Sequence, residues 1–328
     1  SPPICPPPPT ELDPGGATGG NVDGMSKPKV TLATAASMPN LYPDENGLLD
    51  ALAERGIDPQ IKVWNDPDVD WDDAGIVVVR SVIDYAHDRK KFLEWAHGVP
   101  RILNTYDVLE WNSDKHYLRE LEQRGLPTIA TTWVSADAAY TKQQVHSRFP
   151  AFGDFVMKPT VSSGVRDIGR YSAIDLAARQ AAIAQAMGML SEGRDIMIQR
   201  YREEIDVHGE VSLVFLNGLL SHTVQKNAFL HPDQVTDRSY TESVVDARPA
   251  TGEELRLGEE IRAVIHEYLL HRLGRDEQFL FNRVDIVPDG QGSFVVMEIA
   301  LVDADLYLDA TPAALGNFAD AIAVRAFW

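Results

Sequence analysis

The feature that most constrains the fold lies near the start, where short unbroken apolar runs alternate with helix-length segments. Residues 30–36 read as a buried strand, 47–55 as a helix stopped by Gly56, 61–64 as a strand, 75–80 (Gly-Ile-Val-Val-Val-Arg) as a further buried strand, and 90–96 as a helix. Strands that are apolar at every position need cover on both faces, which a parallel sheet with helices on each side supplies. The expectation is a doubly wound α/β domain with ligands beyond the carboxyl ends of its strands. Arg80, Ser81, Asp84 and Tyr85 follow such an end and are candidate substrate contacts. An internal Arg80–Asp84 brace is the competing explanation.

Composition narrows the partners. The chain has 328 residues, 44% apolar, with a net charge of -19. That charge opposes nucleic acid and anionic membranes as partners, so any anion must be held by a local basic pocket. No apolar run approaches the roughly 20 residues that cross a bilayer. Cys5 is the only cysteine, which rules out an internal disulfide and fits a cytoplasmic protein. Residues 1–24, rich in proline and then glycine, read as a disordered leader, with the fold starting near Lys29.

The remainder carries a series of charged residues at element ends. Residues 111–121 read as one helix, capped by Asn112 or Ser113 and closed by Gly125, with Lys115 on its apolar stripe. Residues 154–158 form a short strand that delivers Lys158 before Pro159. A loop with Ser162, Ser163, Gly164 and Gly169 follows, able to turn backbone N–H groups toward phosphates. It is not a P-loop, because no Gly-Lys-Ser/Thr follows the glycines. A helix over 175–190 leads to a strand over 195–201. Residues 210–216 and 219–226 form a hairpin about Asn217-Gly218, the strongest short turn signal. With a two-residue loop, Lys226 falls on the face of Val211, Leu213 and Phe215. Finally, Arg283-Val-Asp285 and Val296-Met-Glu298 read as a second hairpin. Alternation sets Arg283 and Asp285 on one face, and paired carboxylates beside a guanidinium suit Mg²⁺ arriving with phosphates.

In this order, Trp111-Asn-Ser-Asp-Lys115, Val156-Met-Lys158-Pro, Ser162-Ser-Gly164, Gln199-Arg200-Tyr201, Lys226, Arg283-Val-Asp285 and Met297-Glu298 resemble the ATP-grasp ligases. Arg80-Ser-x-x-Asp-Tyr85, residues 209–215 with Ser221-His222, and Asp303-x-Asp-Leu-Tyr307 look like the branch holding the D-cycloserine cyclo-ligase. The resemblance implies an ATP-grasp fold behind a Rossmann-like N-terminal domain, divided as 29–110, 111–200 and 201–328 after the leader at 1–28. It implies ATP and Mg²⁺ as cofactors. Lys115, Lys158 and the 162–169 loop would hold phosphates, and Gln199, Arg200 and Tyr201 would receive adenine. Asp206 or Glu210 would bind ribose, Asp285 and Glu298 the metal, while Lys226 and Arg283 would stabilise the transferred phosphoryl group. Asp303 and Tyr307 join Arg80, Ser81, Asp84 and Tyr85 toward a small amino-acid-like substrate. A substrate carboxylate would attack ATP, and an amine would then displace phosphate from the acyl phosphate.

One position departs from the family pattern: Ala300 stands where a second metal-binding Asn or Glu is usual. The ion would then rest on Asp285, Glu298 and water, or on Asp303. Three classes follow: a carboxylate–amine ligase or cyclo-ligase, a nucleotide-binding protein without turnover, and a dinucleotide-binding dehydrogenase. The last is disfavoured, since residues 37–40 (Ser-Met-Pro-Asn) replace the glycine-rich turn after the first strand. The segment 227–242 is expected to shape substrate choice. Acidic loops and the apolar end Ala326-Phe-Trp328 fit a homodimer, or equally a docked terminus.

Overall fold

The computed structural model describes residues 24–228, 230, 234–236 and 245–328, so the proline- and glycine-rich start and most of 229–244 lie outside the described residues. Strands β1 (Lys29–Thr34), β2 (Asp58–Val63), β3 (Ile76–Val79) and β4 (Ile102–Leu103) form a parallel sheet in the order β2-β1-β3-β4. The valine-rich β3 is buried along its whole length, as its composition requires. Strands β5 (Thr131–Val134), β6 (Asp154–Pro159), β7 (Ile168–Ser172) and β8 (Ile196–Arg200) form an antiparallel sheet in the order β7-β6-β8-β5. A third sheet starts with β9 (Glu210–Leu216) and β10 (Leu219–Lys226); β11 (Gln234–Thr236) then returns to the second sheet beside β7. With β12 (Val245–Ala247), β13 (Phe281–Pro288) and β14 (Phe294–Ala300), the third sheet runs β12-β10-β9-β13-β14.

The helix Gly252–Leu273 covers one face of this third sheet. It opens with a reciprocal Thr251–Glu254 capping box and buries Leu257, Ile261, Ile265 and Leu269 against Val211, Leu213, Phe215, Val284 and Ile286. The opposite face carries Ser212, Arg283 and Asp285 toward one end and joins a core of the first sheet through Val214, Leu216 and Phe281 toward the other. The last helix, Ala314–Ala326, returns to the start of the chain: Phe318 and Ile322 share a core with Leu48 and Leu52 of the helix Leu48–Glu54 and with Val30 and Leu32 of β1. Of the apolar end, Ala326 packs against this core while Phe327 is 59% and Trp328 95% exposed. Among the described residues, no helix is long and apolar enough to cross a membrane.

Two sequence expectations need correction. Residues 111–121 are not one helix: Tyr106–Asn112 ends at Ser113 and Tyr117–Gln123 begins after His116. The reason is that Asn112 does not cap. Its amide donates to the carbonyl of Ile299 (2.8 Å) and accepts from the Leu301 N–H (2.9 Å), which pins the chain to β14 and leaves Lys115 in the break. The register of β10 also differs. The two-residue turn forms, with Asn217 and Gly218 both at positive φ (45° and 82°) as such a turn demands. However, the pairing slips between Leu220 and His222, where Ser221 is an extra residue. Past this bulge Lys226 pairs with Glu210 and Val224 with Ser212. Lys226 therefore lies on the face of Glu210 and Ser212, not that of Val211, Leu213 and Phe215.

Candidate active site

The bulge at Ser221 assembles a charged face on the third sheet. Register places Asp285 opposite Ser212 on one side and opposite Glu298 on the other, with Arg283 opposite Val214 and Ala300. Directly paired residues share a face, so Lys226, Glu210, Ser212, Asp285, Arg283 and Glu298 all point away from the covering helix. The edge strand β14 is fixed by side chains from the broken helix. Besides Asn112, the Tyr117 hydroxyl donates to the Ile299 carbonyl (3.0 Å) and accepts from its N–H (2.9 Å), which immobilises the residue next to Glu298.

Ionic contacts on this face are dense. Asp285 receives Arg283 Nη2 at 2.9 Å and Ser212 Oγ at 2.5 Å, and Lys226 Nζ stands 3.8 Å from it and 3.3 Å from Glu210. Burial works to raise the Asp285 pKa, but Arg283 and Lys226 outweigh it and hold it at about 2. Glu298 pairs with Lys115 at 3.2 Å; burial opposes its ionisation, while Lys115 keeps it below the usual carboxylate range. Glu210 is raised by burial, with Lys226 opposing. Lys158, at the end of β6, is driven down to about 8 by burial and next by Lys115. Lys226 is raised, because Asp285, Tyr307 and Glu210 together overcome its burial.

The remaining expected residues divide into those brought here and those not. A cleft between the second and third sheets gathers Lys158, Gly164, Gln199, Arg200, Tyr201, Glu210 and Glu298 among its lining. Gln199 is buried and donates to Thr131 Oγ1 (2.8 Å), whereas the Arg200 side chain turns outward over the Phe152 ring. Asp206 stays outside this lining; its carboxylate accepts from Arg170 (2.9 and 3.0 Å) and from the Tyr201 hydroxyl (2.8 Å). Of the two ribose candidates, only Glu210 is at the cleft. The loop is fastened at Ser162, whose carbonyl accepts from the Tyr85 hydroxyl (3.1 Å) and faces Lys115 Nζ (3.4 Å), and at Ser163, whose hydroxyl bonds Asp303. Tyr307, at φ 51°, sets its ring 5.6 Å from Lys226 Nζ and 5.7 Å from the Arg283 guanidinium carbon.

Arg80 is a correction. It is fully buried, with its guanidinium held by Glu45 (Nε–Oε1 2.6 Å) and the Ala304 carbonyl (2.9 Å), and enclosed by Tyr42, Phe281 and Phe318. It ties the first sheet to the last helix and has no exposed surface for a substrate to meet. The Asp84 brace is absent too, because Asp84 accepts from Trp64 Nε1 at 2.7 Å. Ser81 pairs with Thr34 Oγ1 at 2.5 Å inside the first sheet, which leaves Tyr85 as the member of this group that contacts the loop. Sequence reasoning missed Glu45, Ser212, Asn112 and Tyr117 in these roles. The neighbourhood of Asn112 and Tyr117 to Lys115 was the available signal; nothing local marks Ser212 or Glu45.

Residues 30–104 match the family model described as D-cycloserine synthetase DcsG, N-terminal domain. The Cycloserine biosynthesis protein DcsG of Streptomyces lavendulae is 33% identical over 298 residues, covering 89% of this chain and 96% of that protein. The chain belongs to the DcsG family. Among solved structures, D-cycloserine synthetase DcsG superposes with a TM-score of 0.77 at 29% identity, covering 90% of this chain and 99% of that one. The ATP-grasp ligase PsnB, complexed with a phosphomimetic variant of its minimal precursor, Mg and ADP, gives 0.57 at 13% identity, covering 92% and 99%. This DcsG-family chain therefore has the ATP-grasp fold, preceded by a parallel Rossmann-like sheet.

Among the described residues, no group of three or more His, Cys, Asp or Glu could hold a metal ion by itself. The pair Asp285 and Glu298 nevertheless fits Mg²⁺. Both are hard carboxylates kept ionised on adjacent, paired strands, and Mg²⁺ commonly takes one or two carboxylates and completes its shell with phosphate oxygens and water.

Proposed function

We propose that this DcsG-family protein is an ATP-dependent carboxylate–amine ligase acting on a small amino-acid-like molecule through an acyl phosphate. The observation that carries this reading is the grouping of Lys115, Lys226 and Arg283 around two ionised carboxylates, Asp285 and Glu298, with Lys158 and Glu298 lining the cleft beside them. Phosphoryl transfer demands little covalent chemistry from the protein; it needs positioning and positive charge where negative charge spreads. Lys115 and Lys158 hold the phosphates of ATP under the Ser162–Ser163–Gly164 loop, and Gln199 with the backbone of Arg200 and Tyr201 receives the base. Mg²⁺ on Asp285 and Glu298 would supply charge neutralisation for the transferred phosphoryl group. Arg283 and Lys226 stabilise the transferred phosphoryl group and the acyl phosphate. One carboxylate oxygen bonds to the γ-phosphorus as ADP leaves; the amine then bonds to the acyl carbon, and phosphate departs with that oxygen.

Membership beside a cycloserine biosynthesis protein supports an amine within the same molecule as the carboxylate, and hence ring closure in antibiotic biosynthesis. The test is ADP release against amino acids and aminooxy compounds with products read by mass spectrometry. Ring closure yields substrate minus one water, and an ¹⁸O-labelled carboxylate delivers its label to inorganic phosphate. Product formation without label transfer would overturn the acyl phosphate. A second reading, nucleotide binding without turnover, is favoured by Ala300, which lies opposite Arg283 on the reacting face where it offers no side-chain oxygen to a metal. ATP binding without ADP release from any substrate would support it.

A further inference from the structure

The opposite face of β13 carries an unexplained polar residue. Alternation sends Arg283 and Asp285 to the reacting face and Asn282 to the face of Val284 and Ile286, beneath the helix Gly252–Leu273. Asn282 is 2% exposed, yet neither its Oδ1 nor its Nδ2 has a hydrogen-bond partner. It is the only described residue with both atoms of a side-chain amide in that state. Leaving such a group dry and unpaired costs about 1–3 kcal/mol, so its retention needs a reason.

Asn282 lines a pocket of about 410 Å³ between the sheet and that helix, within the range of small-molecule sites. The charges around this pocket are already matched to one another. Arg262 pairs with Glu259 (3.2 Å) and His266 with Asp276 (3.2 Å), while Glu277 is taken by Arg275 (2.8 Å) and the Thr105 hydroxyl (3.0 Å). A charged ligand would have to break one of these pairs. A neutral group bearing a donor and an acceptor side by side breaks none, and it satisfies both amide atoms once the Asn282 side chain turns toward the pocket, to which both atoms are closed in this state. Phe215 and Phe279 add apolar wall to the same pocket.

We infer that this pocket is a second ligand site, separate from the reacting face, for a small neutral molecule carrying a carboxamide, urea or lactam group read by Asn282. It does not depend on the reaction proposed above. The site sits one residue from Arg283 along the strand, so occupancy presses on the strand that positions Arg283 and Asp285.

Ligand-observed saturation-transfer NMR on the full chain tests this with acetamide, nicotinamide and N-methylurea, against acetate and nicotinate as charged counterparts. The amides bind and the acids do not. Asn282→Leu, which keeps the volume and removes both polar atoms, weakens amide binding about tenfold or more. Ala263→Phe, which fills the pocket and leaves Asn282 intact, abolishes it. Circular dichroism and thermal denaturation check that each variant is folded. If none of the amides binds the wild type, a trapped water is the partner of Asn282 and the inference is overturned. It is equally overturned if binding survives in Asn282→Leu or in Ala263→Phe, or if the acids bind as well as the amides.

Discussion

Lys226 Nζ stands 3.8 Å from Asp285 Oδ1, two strands away, because a single extra residue at Ser221 turns the lysine to the other face of β10. The same turn sets it 3.3 Å from the buried Glu210, so one ammonium serves two carboxylates. Lys226→Met should leave Glu210 without a cation and destabilise the fold by about 3–5 kcal/mol, as loss of one partner of a buried pair does. Glu210→Gln added to it should recover most of that loss. Chemical denaturation of the wild type, both single variants and the double measures the coupling, and a double variant no more stable than Lys226→Met would contradict the pairing.

Asp285→Asn is expected to abolish turnover while lowering ATP affinity far less, since charge stabilisation matters most during transfer. ADP formation and nucleotide binding are to be followed together across a Mg²⁺ titration. Full activity at limiting Mg²⁺ would remove Asp285 from the metal site.

The low pKa of Lys158, about 8, ties nucleotide binding to pH. Phosphates favour the charged ammonium, so above about pH 8 binding must take up a proton and the Kd for ATP should rise by up to about tenfold per pH unit. Lys158→Arg keeps its charge and should flatten this slope. Stability moves the opposite way: the unfolded lysine titrates near 10.5, so between about 8 and 10.5 the unfolded state holds more protons and stability from this group rises with pH. Equal slopes for the wild type and the arginine variant would place another group in control.

Lys115→Ala removes a cation that bonds Glu298 and faces the loop carbonyl of Ser162. ATP affinity should fall by roughly 1.5–3 kcal/mol, the value of a charge-assisted hydrogen bond, with the far-ultraviolet spectrum unchanged. Calorimetric titration with wild-type affinity would reject the assignment.

Arg80→Met should act on stability and not on substrate choice. It strands Glu45 in the core and should cost about 3–5 kcal/mol, with KM for each substrate unchanged in the fraction that remains folded. A selective rise in KM for the acceptor substrate would return Arg80 to the binding site.

What the sequence determined by itself were the features set by local spacing. The unbroken apolar run of β3, the Asn217-Gly218 turn and the alternation that joins Arg283 to Asp285 depend on near neighbours only, and each stands in the structure. So does the ordered set of lysines and carboxylates that carried the ATP-grasp resemblance. Tertiary structure decided what depends on contacts between distant segments. Whether Asn112 caps a helix or grips β14 is settled by a strand nearly two hundred residues later, and whether Arg80 meets a ligand or Glu45 is settled by how the last helix closes over the first sheet. The face of Lys226 turned on a bulge that no turn residue announces. A strand has a period of two, so one unpaired serine was enough to move the lysine from the apolar core to the charged face.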